Sequence, residues 1–149
     1  MSVVMKSFER LVLAYLKDIT GPLLDPHQFA YQANRSANDA VNMGMHYILQ
    51  HLKRPGSILF VDFSSAFNTI IPDLLQTKLM EISVPIPICQ WITNFLTDRQ
   101  QQVRLGKLTS GSITISTGAP QRCVLSPLLF SLYTNNCTAT DPSVDRTGG

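Results

Sequence analysis

One short apolar run, residues 58–61, constrains the fold more than any other part of this chain. A continuous apolar run of this length is typical of a strand buried on both faces. Asp62 ends the run and Ser64-Ser65 follow, so the sequence predicts one carboxylate where a buried strand opens into a turn. An aspartate that only caps the turn would give the same pattern. Phe67, taken alone, is typical of a core aromatic.

Helices are predicted on both sides of this strand. Helical spacing gives residues 3–17 one apolar stripe that includes Val4, Phe8, Leu11, Val12, Tyr15 and Leu16. A second helix is predicted from Ser36, with Asp39 as its acidic capping partner. Its predicted buried face is Ala37, Ala40, Val41, Tyr47, Ile48 and Leu52. Further helices are expected from Pro72, after Pro87 and from Ser126, and a hairpin from residues 102–105 and 112–117 around the loop 106–111. Irregular mixing of helices and strands predicts the α+β class.

Composition bounds the class of protein further. The hydrophobic fraction of 44% and the charged fraction of 15% predict one globular domain. A net charge of +2 is too small to indicate nucleic-acid binding by itself. Three widely spaced cysteines fit neither a metal site nor a disulfide framework. With no apolar run long enough for a signal peptide or a membrane span, we expect an intracellular protein of the nucleus or cytoplasm, neither secreted nor transmembrane.

Residues 60–70, Phe-Val-Asp-Phe-Ser-Ser-Ala-Phe-Asn-Thr-Ile, resemble the palm motif of LINE-type (non-LTR retrotransposon) reverse transcriptases. Phosphoryl transfer in such enzymes uses two divalent metals, and Mg²⁺ prefers oxygen ligands held on a rigid element. The resemblance implies that Asp62 is the catalytic metal ligand, that the Phe63 carbonyl is a further ligand, and that Phe67 excludes a ribose 2′-hydroxyl. Asn68 stands where many members of the family have Asp.

Residues 118–127, Gly-Ala-Pro-Gln-Arg-Cys-Val-Leu-Ser-Pro, resemble a second motif of the same family. By that resemblance Gln121 lies near the incoming nucleotide, and Ser126 starts a helix that supports the template. A plain turn before a buried helix would read similarly. Arg122 replaces a family Gly, and if the site needs a positive φ this residue is strained by about 1–2 kcal/mol.

Basic residues upstream and between the motifs are candidate contacts. Residues 5–12 and 27–41 resemble the finger region of the family, which implies that Arg35, just before a helix start, contacts a triphosphate or the template. Arg99, Arg104 and Lys107 are candidate nucleic-acid contacts around the hairpin. A solvated loop or hairpin face explains each of these cations equally simply.

No two of the eight aspartates are adjacent, so the Asp-Asp pair of the family is missing from these residues. The resemblance therefore implies fingers and a partial palm over residues 1–144, an incomplete right-hand polymerase with a short central strand and a hairpin. Residues 145–149 are expected to form a non-family tail. The expected ligands are RNA template, DNA primer, deoxynucleoside triphosphates and Mg²⁺ at an incomplete two-metal site. The function predicted is an inactive reverse-transcriptase fragment. The alternatives are a non-enzymatic nucleic-acid-binding remnant, an unrelated α+β domain, and a retroviral or group II intron-like enzyme.

Overall fold

The computed structural model describes residues 3–29, 34–51, 64–120 and 122–136. Within these ranges it contains five α-helices, two short 3-10 helices and two antiparallel strand pairs. The α+β prediction is therefore confirmed. The predicted central strand at residues 58–61 lies outside the described residues, as does the tail after Asn136.

Helix α1 runs from Val3 to Thr20 and is three residues longer than predicted. The Thr20 hydroxyl donates to the Leu16 carbonyl at 2.7 Å, and a 3-10 turn at Gly21–Leu23 follows. The predicted apolar stripe is only partly buried. The buried line of α1 is Glu9, Val12, Leu16 and Thr20, whereas Val4, Phe8, Leu11 and Tyr15 are exposed.

Helix α2 runs from Ala37 to His51 and begins with the predicted capping box. The Ser36 amide and hydroxyl both donate to the Asp39 carboxylate, at 2.8 and 2.7 Å, and the Asp39 amide donates to the Ser36 hydroxyl at 3.2 Å. The prediction of a buried face was wrong for the described part of this helix, in which no residue is fully buried. The physical reason is that α2 has no extensive contact with another helix or strand of the described part. Leu52, which was also predicted to be buried, lies outside the described residues.

Helices α3, Pro72–Glu81, and α4, Ile86–Leu96, pack on one another, and α5, Ser126–Thr134, packs on α3. Helices α3 and α5 begin at Pro72 and Ser126, as predicted, whereas α4 begins at Ile86 and includes Pro87, after which it was predicted to start. Each of the three has a proline in its first turn, where a missing amide donor is tolerated. Their contact surface is the core, built around fully buried Leu75, Leu79, Cys89, Ile92, Leu96, Leu125 and Leu129, with Ile70 from the preceding loop.

Residues 99–115 form one long hairpin in two steps. Strand β1, Arg99–Gln101, pairs with β4, Ile113–Ile115, and β2, Arg104–Leu105, pairs with β3, Leu108–Thr109. The hairpin prediction is confirmed, but the loop predicted at 106–111 was too long. Gly106 has φ +60°, which permits a tight turn, so Leu108 and Thr109 continue the ladder.

None of the helices in the described ranges is long and apolar enough to span a membrane.

Candidate nucleotide and template site

Phe67 lies on the 3-10 turn Ala66–Thr69, which is stabilised by hydrogen bonds between neighbouring residues. Ser65 enters the turn with φ +56°, the Asn68 amide donates to the Ser65 carbonyl at 2.7 Å, and the Thr69 hydroxyl donates to the Ala66 carbonyl at 2.6 Å. The half-buried Phe67 ring meets the Phe130 ring edge-on, with centroids 5.7 Å apart. Helix α5 thus supports the one side chain for which a role at the sugar is predicted.

The backbones of the two motifs join beside Phe67. The Ala119 amide donates to the Phe67 carbonyl at 2.8 Å, and the Gly118 amide donates to the Ile70 carbonyl at 2.7 Å. Gly118 has φ +70°, and a Cβ placed there would lie 2.8 Å from the Cα atom of Asn68. Only glycine allows both this conformation and this approach. Segments about fifty residues apart in sequence are therefore fixed against each other by backbone hydrogen bonds.

Arg99 holds the same junction from the hairpin side. Its Nη2 donates to the Thr117 and Gly118 carbonyls at 2.5 and 2.9 Å, and its Nε donates to the Leu96 carbonyl at 2.9 Å. Burial lowers the pKa of this guanidinium from its ordinary value. The side chain predicted to contact nucleic acid thus has an intramolecular role, linking the end of α4 to the start of the second motif; a nucleic-acid contact by Arg99 stays a prediction.

The described residues of the second motif, Pro120 and 122–125, form a turn that leads into α5. Gln121 lies outside the described residues. The Cys123 amide donates to the Pro120 carbonyl at 3.3 Å, and the buried Ser126 hydroxyl donates to the same carbonyl at 3.0 Å. The Ser126 hydroxyl therefore closes the turn from inside, and its predicted contact with nucleic acid stays a prediction.

Arg122 has a positive φ, the condition under which the sequence analysis expected strain at this position. Its φ is +63°, in the left-handed region that favours glycine, and its side chain is exposed. A non-glycine residue there is strained by about 1–2 kcal/mol. The family glycine at this position is therefore explained by the local backbone, and this chain tolerates a costly substitute.

Glu9 reaches the turn from α1, and the sequence analysis did not identify it. Its carboxylate Oε2 accepts from the Val124 amide at 3.0 Å and from the Cys123 thiol at 3.2 Å. Burial raises the pKa of the Cys123 thiol, and the neighbouring Glu9 raises it further, while the bond to Ser126 opposes them. The available signal was the position of Glu9 at helical spacing before Val12 and Leu16, on the face that is buried.

Arg35 lies two residues before α2 and packs on Phe29. Its guanidinium carbon is 5.0 Å from the centroid of the buried Phe29 ring, a cation–π contact. Asn34 beside it has φ +59°. Contact of Arg35 with a triphosphate or the template stays a prediction.

Arg104 and Lys107 lie at the exposed end of the hairpin. Arg104 donates to the Gly106 carbonyl at 3.3 Å and otherwise faces solvent. No Asp or Glu occurs in the sequence from Arg99 to Thr140, so the charge of this region is positive although the whole chain is only mildly basic. Their contact with nucleic acid stays a prediction that this charge favours.

The predicted metal ligands, Asp62 and the Phe63 carbonyl, lie outside the described residues. No group of three or more His, Cys, Asp or Glu side chains able to hold a metal occurs among the residues that are described. The described residues therefore supply no donor set for two metals about 3.5–4 Å apart.

Residues 1–140 match the family model described as "Reverse transcriptase (RNA-dependent DNA polymerase)". The chain therefore belongs to the reverse transcriptase family, whose polymerases generally use divalent metal ions and bind template and primer. It is similar to two Drosophila melanogaster proteins: the "Probable RNA-directed DNA polymerase from transposon BS", 31% identical over 138 residues, and that "from transposon X-element", 28% identical over 143 residues. These matches cover 90% and 93% of this chain but only 15% and 16% of the relatives.

Proposed function

We propose that this chain is the template- and nucleotide-positioning part of a LINE-type retrotransposon reverse transcriptase, built from fingers and a partial palm. A polypeptide with only these 149 residues binds template–primer and does not polymerise. The observation that carries the proposal is the junction in which the Phe67 carbonyl accepts from the Ala119 amide at 2.8 Å. It brings the residue proposed to sense the sugar next to the turn proposed to sense the base pair.

Charge supports contact with a polyanion at the hairpin. Arg104 and Lys107 are exposed and have no acidic residue near them in sequence. Each lysine or arginine that neutralises a phosphate adds about 0.7–0.9 to the magnitude of the slope of log association constant against log salt concentration. Binding of RNA template and DNA primer is therefore expected to weaken as salt rises.

Absence of polymerase activity is expected from the chemistry of the residues in this chain. Phosphoryl transfer is catalysed mainly by positioning and charge stabilisation, which need both metals in register. Asp62 supplies one motif carboxylate and no adjacent pair of aspartates supplies the others. The proposal includes an intracellular location, since Cys89 and Cys123 are free buried thiols.

Binding and chemistry are tested separately. Binding of a labelled RNA–DNA template–primer is measured by fluorescence anisotropy from about 50 to 200 mM salt. The logarithm of the association constant should fall linearly with the logarithm of the salt concentration. A double variant, Arg104→Ala with Lys107→Ala, should reduce the slope, whereas Lys17→Ala on the exposed side of α1 should not. Binding without any salt slope would contradict the proposed nucleic-acid site.

Primer extension tests the second half of the proposal. The expected result is no extension on an RNA template with Mg²⁺ and all four deoxynucleoside triphosphates. Extension that Asp62→Ala abolishes would overturn the claim of inactivity while leaving the family assignment intact. Extension that survives Asp62→Ala would indicate a contaminating polymerase.

A further inference from the structure

Glu9 is the most buried acidic side chain of the described residues, with no exposed area. It lies on the buried line of α1 with Val12 and Leu16, where an apolar residue is expected. Burial of a carboxylate is unfavourable unless hydrogen bonds replace the lost water. Its presence in the core therefore calls for a reason other than packing.

The hydrogen bonds of Glu9 all go to the turn that follows Gln121. Oε2 accepts from the Val124 amide at 3.0 Å and from the Cys123 thiol at 3.2 Å, across more than a hundred residues of sequence. Oε1 is buried and has no partner among the described residues. One oxygen of this carboxylate fixes the turn, and the other is left at a cost to folding.

The opposite end of the turn is held independently. The Arg99 guanidinium bonds the Thr117 and Gly118 carbonyls, and the Phe67 carbonyl accepts from the Ala119 amide. Glu9 supplies the corresponding restraint on the α5 side, at Cys123 and Val124. Residues 117–119 and residues 123–124 of this region are thus each tied to elements outside the second motif.

We propose that Glu9 is a positioning residue for the turn at Pro120 and residues 122–125, and through that turn for recognition of the incoming nucleotide. This rests on the proposed function. It predicts that loss of the Glu9 acceptor loosens the turn and weakens the response to a matched nucleotide.

Three variants and one control test the idea on the intact chain. Glu9→Leu keeps volume and removes the acceptor, Glu9→Gln keeps an acceptor oxygen, and Glu9→Asp withdraws the carboxylate by one methylene. Asp18→Leu is the control, since it removes a carboxylate from the exposed side of the same helix. Each variant is measured for thermal midpoint, for hydrogen exchange at the Val124 amide, and for the increase in template–primer affinity caused by the matched deoxynucleoside triphosphate.

In Glu9→Leu we expect the Val124 amide to exchange about tenfold faster, with no change at the Leu129 amide, which bonds the Leu125 carbonyl. The effect of the matched nucleotide should fall, and the thermal midpoint should fall with it, because leucine leaves the Val124 amide without its acceptor. Glu9→Gln should restore the exchange and the nucleotide effect, and Asp18→Leu should change neither. A purely structural Glu9 would lower the midpoint and leave the nucleotide effect of the folded protein intact, which would overturn the proposal.

Glu9→Asp decides the matter if Glu9→Leu does not fold. Unchanged exchange at Val124 and an unchanged nucleotide effect in Glu9→Asp would refute a positioning role, whereas loss of both would support it. If the wild-type chain binds template–primer without any response to the matched nucleotide, the nucleotide part of the proposed function fails together with that part of this inference. Exchange at Val124 still decides whether Glu9 holds the turn.

Discussion

Replacement of Arg122 by glycine should stabilise this protein. Arg122 has φ +63° and an exposed side chain. A left-handed conformation costs a non-glycine residue about 1–2 kcal/mol. Glycine removes this strain, but it also increases the conformational entropy of the unfolded chain, which lowers the free energy of unfolding by about 0.4–1 kcal/mol. The difference between these two contributions is about 0–1.6 kcal/mol. The free energy of unfolding should therefore rise by roughly 0.8 kcal/mol, which corresponds to about 2–3 °C in Tm for a chain of this size.

Urea and thermal unfolding of Arg122→Gly and Arg122→Ala separate the causes of this gain. Alanine removes the charge and most of the side chain but keeps Cβ, so the strain stays and stability should change by less than about 0.3 kcal/mol. An equal gain in both variants would refute the argument from φ, because the long side chain would then be the source of the cost. A loss of stability in Arg122→Gly would refute it more directly.

Three further results are expected. Gly118→Ala should lower the free energy of unfolding by more than about 2 kcal/mol, because its Cβ would lie 2.8 Å from the Asn68 backbone. Gly106→Ala, at φ +60° but in open space, should lower it by only about 1–2 kcal/mol. Equal losses in the two variants would contradict the close approach at Gly118. Lys107→Ala should lower the salt slope of template–primer binding by about 1. Arg99→Ala should weaken binding and also lower that slope; an unchanged slope would refute the predicted phosphate contact and leave Arg99 only its bond to the Gly118 carbonyl. The hydrogen bonds from Ser36 lower the pKa of Asp39 below 3.8, so the capping of α2 is fully present above that pH and is lost as pH falls through the folded pKa. Amide exchange in α2 should therefore become faster on acidification in the wild type and change far less in Asp39→Asn. Identical pH profiles in the two proteins would exclude the cap as the cause.

Local signals predicted the elements whose ends are set by a few neighbouring residues. Ser36 with Asp39 marked the start of α2, and Pro72 marked the start of α3, because capping and proline geometry act over one turn. The buried face of α2 was not predictable in the same way. Spacing identifies an apolar face, but burial requires a neighbouring element, and α2 has no extensive contact with one in the described residues.

The candidate site divides along the same line. The order of residues in the two motifs was enough to indicate the reverse transcriptase family, and the substitution of Arg122 for glycine raised the question of strain. The roles of Glu9 and Arg99 were not readable from sequence. Each forms hydrogen bonds with backbone groups far away in sequence. Because almost every residue has a backbone amide and carbonyl, residue types do not indicate which of these groups is the partner.

The sequence alone therefore determined the family, the mixed helix–strand class and the start points of α2, α3 and α5, since these depend on residue order and local conformational preference. Only the tertiary structure decided that the Phe67 and Gly118 segments join, that Arg99 and Glu9 hold the turn between them, and that Arg122 is left-handed. Those contacts are backbone hydrogen bonds and close approaches between distant segments, and they exist only once the core has brought the segments together.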